Sequence, residues 1–123
     1  MLGGIRDILI ISNKETIPMY QTLFGDGSHL GVRLQYVVQD APNGIAESFL
    51  LGESFIGNDS VSLILGDNIF FGGDAFPRAF ASFESGATVF AYHVTDPERY
   101  GVVEFNAAGK AVSLEEKPAQ PRS

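Results

Sequence analysis

Three short stretches carry residue types that could do chemistry. The first is an acid at the end of an apolar run, where Val61 to Leu65 stops abruptly at Gly66-Asp67-Asn68. A nearly continuous apolar run reads as a strand covered on both faces, so Asp67 emerges at its carboxyl edge. Gly66 lets the backbone turn and lets a ligand come close. A carboxylate there can hold Mg²⁺, a hard cation that takes oxygen ligands and keeps waters and phosphates in its shell. The same triplet is also ordinary turn chemistry. The second stretch is Gln39 with Asn43-Gly44. A Gln side chain has a donor and an acceptor, which suits a pyrimidine edge. Asn43-Gly44 is expected to open a helix with free N–H groups, and Gly44 admits a flat ring or a phosphate. Loops after strands are commonly built from these residues without any ligand. The third is Glu115-Glu116-Lys117-Pro118. Glu accepts hydrogen bonds from sugar hydroxyls and Lys neutralises a phosphate, although a charged strand edge that discourages pairing has the same composition. Tyr100-Gly101, at another strand start, is a weaker signal. His29 and His93 have no metal-ligand spacing with any acidic pair.

The elements that must position these groups follow from hydrophobic period and turn chemistry. Asp7 to Ser12, with Ile8-Leu9-Ile10-Ile11, reads as a doubly covered strand. Asn13 can cap a helix carrying Ile17, Tyr20, Leu23 and Phe24, with Pro18 awkwardly inside it. Gly25-Asp26-Gly27-Ser28 ends that helix. Val32 to Gln39 is a second strand, and a helix with Ile45, Ala46, Phe49 and Leu50 follows. Val61 to Leu65 is the third strand and Ala87 to Val94 the fourth. Phe71-Gly72-Gly73-Asp74 makes a flexible stop, and Ala75 to Phe83 a further helix. Asp96-Pro97-Glu98-Arg99 makes a turn in which Arg99 can meet a carboxylate. Tyr100–Phe105 and Lys110–Glu115, joined by Asn106-Ala107-Ala108-Gly109, read as a hairpin. The alternation predicts an α/β architecture with a mostly parallel sheet and an antiparallel hairpin. Ligands in such sheets sit beyond the carboxyl ends of the strands, where Gln39 and Asp67 fall.

Composition narrows the function classes. The chain has 123 residues, 45% hydrophobic and 11% aromatic, which argues for a folded core rather than disorder. Its net charge of −7 speaks against nucleic acid as the main partner, which would need a Lys/Arg-rich face. With no Cys there is no disulfide, thiolate metal site or Cys nucleophile. No run approaches the roughly 18 apolar residues of a membrane span, and no secretion signal is visible. A cytoplasmic protein is expected.

Four pieces occur in order: Ile56-Gly57-Asn58-Asp59; Leu65-Gly66-Asp67-Asn68-Ile69-Phe70; Asp96-Pro97-Glu98-Arg99-Tyr100-Gly101-Val102-Val103-Glu104-Phe105; and Glu115-Glu116-Lys117-Pro118. Together they resemble the sugar nucleotidyltransferases, and within them the glucose-1-phosphate thymidylyltransferase family, over nearly the whole chain. The resemblance implies a three-layer Rossmann-like nucleotidyltransferase sheet, mostly parallel, with an antiparallel hairpin. It implies Mg²⁺-dependent formation of dTDP-glucose and pyrophosphate from dTTP and glucose 1-phosphate, early in dTDP-rhamnose synthesis. By the same resemblance Gln39 and Gly44 hold the thymine base and Asp67 is the Mg²⁺ carboxylate with a catalytic role. Tyr100, Gly101, Glu116 and Lys117 line the glucose phosphate site. A homo-oligomer, a tetramer in the complete enzyme, is implied too, with no nucleic-acid or membrane partner.

The family is more than twice as long and opens with a strand and a Gly-rich loop carrying Gly-Thr-Arg. That loop has no counterpart here, since Gly3-Gly4-Ile5-Arg6 matches a later segment leading into the strand at Ile8. Residues 1–123 are therefore expected to be a partial nucleotidyltransferase domain, incomplete at the first strand and the C-terminal part and inactive alone, with an open sheet edge that invites pairing. A uridylyl- or cytidylyltransferase fragment, and a non-catalytic binding or assembly module with the same fold, are the alternatives.

Overall fold

The computed structural model describes residues 4–71 and 73–123; Gly3 and Gly72, each part of a motif read above, lie outside them. The chain forms two compact units, Met1–Phe83 and Glu84–Ser123.

The first unit begins with β1 (Asp7–Ser12), α1 (Ile17–Phe24), a 3-10 turn at Ser28–Leu30 and β2 (Arg33–Val38). β1 and β2 pair in parallel without a register break, from Asp7↔Arg33 to Ser12↔Val38. The register partners at the amino end are also joined by their side chains, with Arg33 donating two hydrogen bonds to the Asp7 carboxylate. Those bonds hold the Asp7 carboxyl below its ordinary pKa.

Asn13 acts one turn earlier than its capping chemistry predicts. Its Oδ1 accepts from the Thr16 N–H at 2.8 Å, shaping the turn that leads into α1. The helix starts at Ile17, so Pro18 falls in the first turn, where no backbone donor is required. Ile17 of α1 and Val32 before β2 are the buried side chains here. The Tyr36 hydroxyl donates to the Gly25 carbonyl at 2.7 Å, tying the end of α1 to β2. Gly27, at φ +80°, sits so close to β2 that a Cβ would stand 2.6 Å from Leu34 Cγ.

After β2 the chain runs through a loop into α2 (Glu47–Leu51) and α3 (Glu53–Ile56), and later α4 (Ala75–Ser82). The helix expected to hold Ile45 and Ala46 starts only at Glu47. Gly44 at φ +100° is outside the right-handed region, so the loop has to finish before a helix can begin. Phe76 meets Phe70 and Phe80 edge-on, with ring centroids 4.2 and 5.3 Å away, forming a small aromatic cluster.

Two expected strands are not formed. Among the described residues, neither Val61 to Leu65 nor Ala87 to Val94 belongs to a sheet. An apolar period reports how side chains seek cover, whereas a ladder needs a second backbone about 4.8 Å away. Both runs stay uncovered: Ile64 is 50% exposed and Val89 71%. The architecture is α/β, with a two-stranded parallel sheet in one unit and an antiparallel hairpin in the other.

The second unit contains a 3-10 turn at Pro97–Arg99, then β3 (Gly101–Phe105) and β4 (Ala111–Glu116). Arg99 donates to Asp96 at 3.0 Å, as its position in the turn predicts. The strands pair from Gly101↔Glu116 to Phe105↔Ala111, with a bulge between Glu104 and Phe105. Asn106 closes the loop: its Oδ1 accepts from the N–H groups of Ala108 and Lys110, both at 3.0 Å. Val102 is the buried residue of the hairpin.

Candidate functional site

In the first unit, Gln39, Gly44 and Gly66 line one cleft of about 340 Å³, and Asp67 follows Gly66 without itself forming part of the lining. Its apolar walls include Leu9 and Ile11 of β1 together with Leu63, Ile64 and Leu65; Gln39, Pro42, Gly44 and Gly66 are also among the lining residues. Gln39 is placed by the sheet itself, because its N–H donates to the Ser12 carbonyl at 2.8 Å, one step beyond the β1–β2 ladder. Gly44 has open space where a side chain would be, and its positive φ disfavours any other residue. A flat ring can therefore approach this backbone closely.

Asp67 directly follows Gly66 and is exposed. Its Oδ1 accepts from Asn68 Nδ2 at 3.0 Å, and the Asn68 N–H donates to the Leu65 carbonyl at 3.1 Å, so the turn orients the carboxylate. Among the described residues, no group of three His, Cys, Asp or Glu side chains is placed to hold a metal ion. A single hard oxygen donor still fits one corner of a Mg²⁺ shell, since this ion draws its other ligands from waters and phosphates.

One participant was not visible as such in the sequence. Glu47, the first residue of α2, accepts a hydrogen bond from Gln39 Nε2 at 2.5 Å on one oxygen and from Asn43 Nδ2 at 2.8 Å on the other. These two bonds, Asn43 first, hold the Glu47 carboxyl below its ordinary pKa. The signal available was an Asn and a Glu four apart across a helix start, with Gln39 eight residues before the Glu.

In the second unit, Tyr100, Gly101, Glu116 and Lys117 lie together at the open end of the hairpin. Gly101 and Glu116 are register partners, and the Lys117 N–H donates to the Tyr100 carbonyl at 2.9 Å. A Cβ on Gly101 would stand 3.4 Å from Glu116 Oε2, so the carboxylate lies directly over this glycine. Lys117 is the one non-glycine residue with positive φ among those described, at +44°. Holding a lysine there costs roughly 1–3 kcal/mol, a common mark of residues whose direction matters. Lys117 Nζ is 3.8 Å from Glu116 Oε1, and both side chains are largely exposed. An exposed pair of this kind is worth little by itself, which leaves both charges available to a ligand.

A parallel β-α-β unit with a polar-lipped cleft at the carboxyl ends of its strands defines an α/β ligand-binding class, and comparison with known proteins gives the family. The family model for nucleotidyl transferase matches residues 1–123, and the chain belongs to that family. It is 56% identical over 126 residues to a glucose-1-phosphate thymidylyltransferase of Neisseria gonorrhoeae, and 52% identical over 125 residues to one of Mycolicibacterium smegmatis. Both matches take in 100% of this chain and 43% of the relative, so the chain spans less than half the length of these curated proteins. Among solved structures it is similar to a Bacillus anthracis chain, described as a candidate glucose-1-phosphate thymidylyltransferase in complex with a sucrose. That similarity has a TM-score of 0.84 at 42% identity, covering 94% of this chain and 47% of the other. No helix among the described residues is long and apolar enough to cross a membrane.

Proposed function

We propose that the chain supplies the base-reading and sugar-phosphate-binding parts of a glucose-1-phosphate thymidylyltransferase, which converts dTTP and glucose 1-phosphate into dTDP-glucose and pyrophosphate. The observation that carries this is the convergence of Gln39, Gly44 and Gly66, the residue before Asp67, on one cleft. In the reaction a sugar-phosphate oxygen attacks the nucleotide α-phosphorus, forming a P–O bond as the bond to the departing pyrophosphate breaks. Such chemistry is mainly positioning and charge neutralisation. Gln39 hydrogen-bonds the pyrimidine edge and Gly44 lets the ring lie against the backbone. Glu116 accepts from sugar hydroxyls, Tyr100 and Gly101 shape that subsite, and the Lys117 ammonium offsets phosphate charge. Asp67 would hold Mg²⁺, which when bound neutralises phosphate charge. A cytoplasmic homo-oligomer acting in dTDP-rhamnose synthesis is the setting that fits this reading.

Titration of the ¹⁵N-labelled chain tests it. Added dTTP with Mg²⁺ is expected to move the Gln39 side-chain amide and the Gly44 N–H resonances, and glucose 1-phosphate those of Gly101 and Lys117. If dATP moves the Gln39 and Gly44 signals as strongly as dTTP, the base-reading role is wrong. UTP is the runner-up ligand, because the edge that Gln39 reads is common to uracil and thymine. A pyrophosphate-release assay on this chain alone is expected to stay at background, since one carboxylate holds Mg²⁺ weakly.

A further inference from the structure

We propose that Glu47 is a positioning residue that fixes which way round the Gln39 amide faces, and so makes the cleft select thymine or uracil over cytosine. This rests on the reading of the cleft as a pyrimidine site. A carboxylate only accepts hydrogen bonds, so Gln39 must turn Nε2 toward Glu47 and its carbonyl away. The second Glu47 oxygen is already occupied by Asn43 Nδ2, so the carboxylate cannot swing aside without giving up that bond. Gln39 is thus left with a carbonyl acceptor and one N–H donor, in a fixed order along the edge it presents.

That order matters for the base. Thymine and uracil offer N3–H beside a carbonyl, whereas cytosine offers an N3 acceptor beside an amino donor. An unconstrained Gln serves either pattern by turning its amide through half a revolution. Turning it here would set the Gln39 carbonyl against the Glu47 carboxylate, acceptor against acceptor, and would leave a half-buried polar contact unmade.

Glu47→Gln provides the test, because a Gln at 47 can donate to, or accept from, either orientation of Gln39. In the ligand-free wild-type chain, one Gln39 side-chain amide proton is expected to resonate downfield, with a smaller shift in Glu47→Gln and none in Glu47→Ala. With Mg²⁺ present, wild type is expected to bind dTTP roughly tenfold more tightly than dCTP, the effect of one mismatched hydrogen bond. In Glu47→Gln that preference should shrink to about twofold, with dCTP gaining affinity and dTTP changing little. Equal weakening of both nucleotides would mark a merely structural Glu47 and overturn the proposal, as would a wild-type amide with no downfield proton. A downfield proton without binding of either nucleotide would instead overturn the pyrimidine reading, and the selectivity with it.

Discussion

The cleft in the first unit and the hairpin end in the second present their polar groups in opposite ways. Around the cleft, side chains orient one another: Glu47 gathers Gln39 and Asn43 onto a single carboxylate. At the hairpin, the backbone ladder does the orienting, and Glu116 and Lys117 project from it with little to hold their tips. The contrast matches what each would recognise. A flat neutral base is told from its analogues by the order of donors and acceptors, which requires fixed groups. A phosphate is recognised by charge, which tolerates a loose ammonium.

The largest expected effect breaks the cleft alone. Gly44→Val puts a β-branched residue at φ +100° and fills the open space beside that backbone, where the proposed base would lie. Affinity for dTTP should fall by more than about tenfold, while glucose 1-phosphate still shifts the hairpin resonances; calorimetric titration with each ligand checks both halves. An intermediate effect separates backbone from charge at the hairpin. Lys117→Gly relieves the left-handed strain yet removes the ammonium, so thermal unfolding should occur at the same or a higher temperature. Glucose 1-phosphate should nevertheless bind several-fold more weakly, and added salt should weaken the wild type toward the variant. The smallest effect is a pH dependence. The Glu47 carboxyl is lowered by its two donors, so its contribution to stability is full above the unfolded-state pKa and is lost as pH falls through the lower folded-state value. Acid unfolding followed below about pH 4 should therefore be shallower in Glu47→Gln than in wild type.

The parts legible in the sequence are those that apolar runs and turn residues mark directly. β1, β2 and the hairpin follow from apolar runs and from an Asn-to-Gly loop whose turn needs only local bonds. Gln39 and Gly44, which line the cleft, stand out in the sequence because a strand end and a glycine mark approachable backbone, whereas Asp67 is marked by a strand end that does not form. Glu47 was hidden because its role depends on the shape of the loop between residues 39 and 47, and only Gly44 hints at that shape. The start of α2 was misplaced for the same reason. Val61 to Leu65 and Ala87 to Val94 have the composition of strands, but composition cannot supply the neighbouring backbone that a ladder requires.

The carboxylate of Asp67 hangs from that unpaired run, steadied by the Leu65–Asn68 turn and the Asn68 side chain. Were an ion held there, as proposed, pairing another backbone onto Val61 to Leu65 would steady its carboxylate without adding a single ligand, and capture of the ion would then be coupled to extension of the sheet.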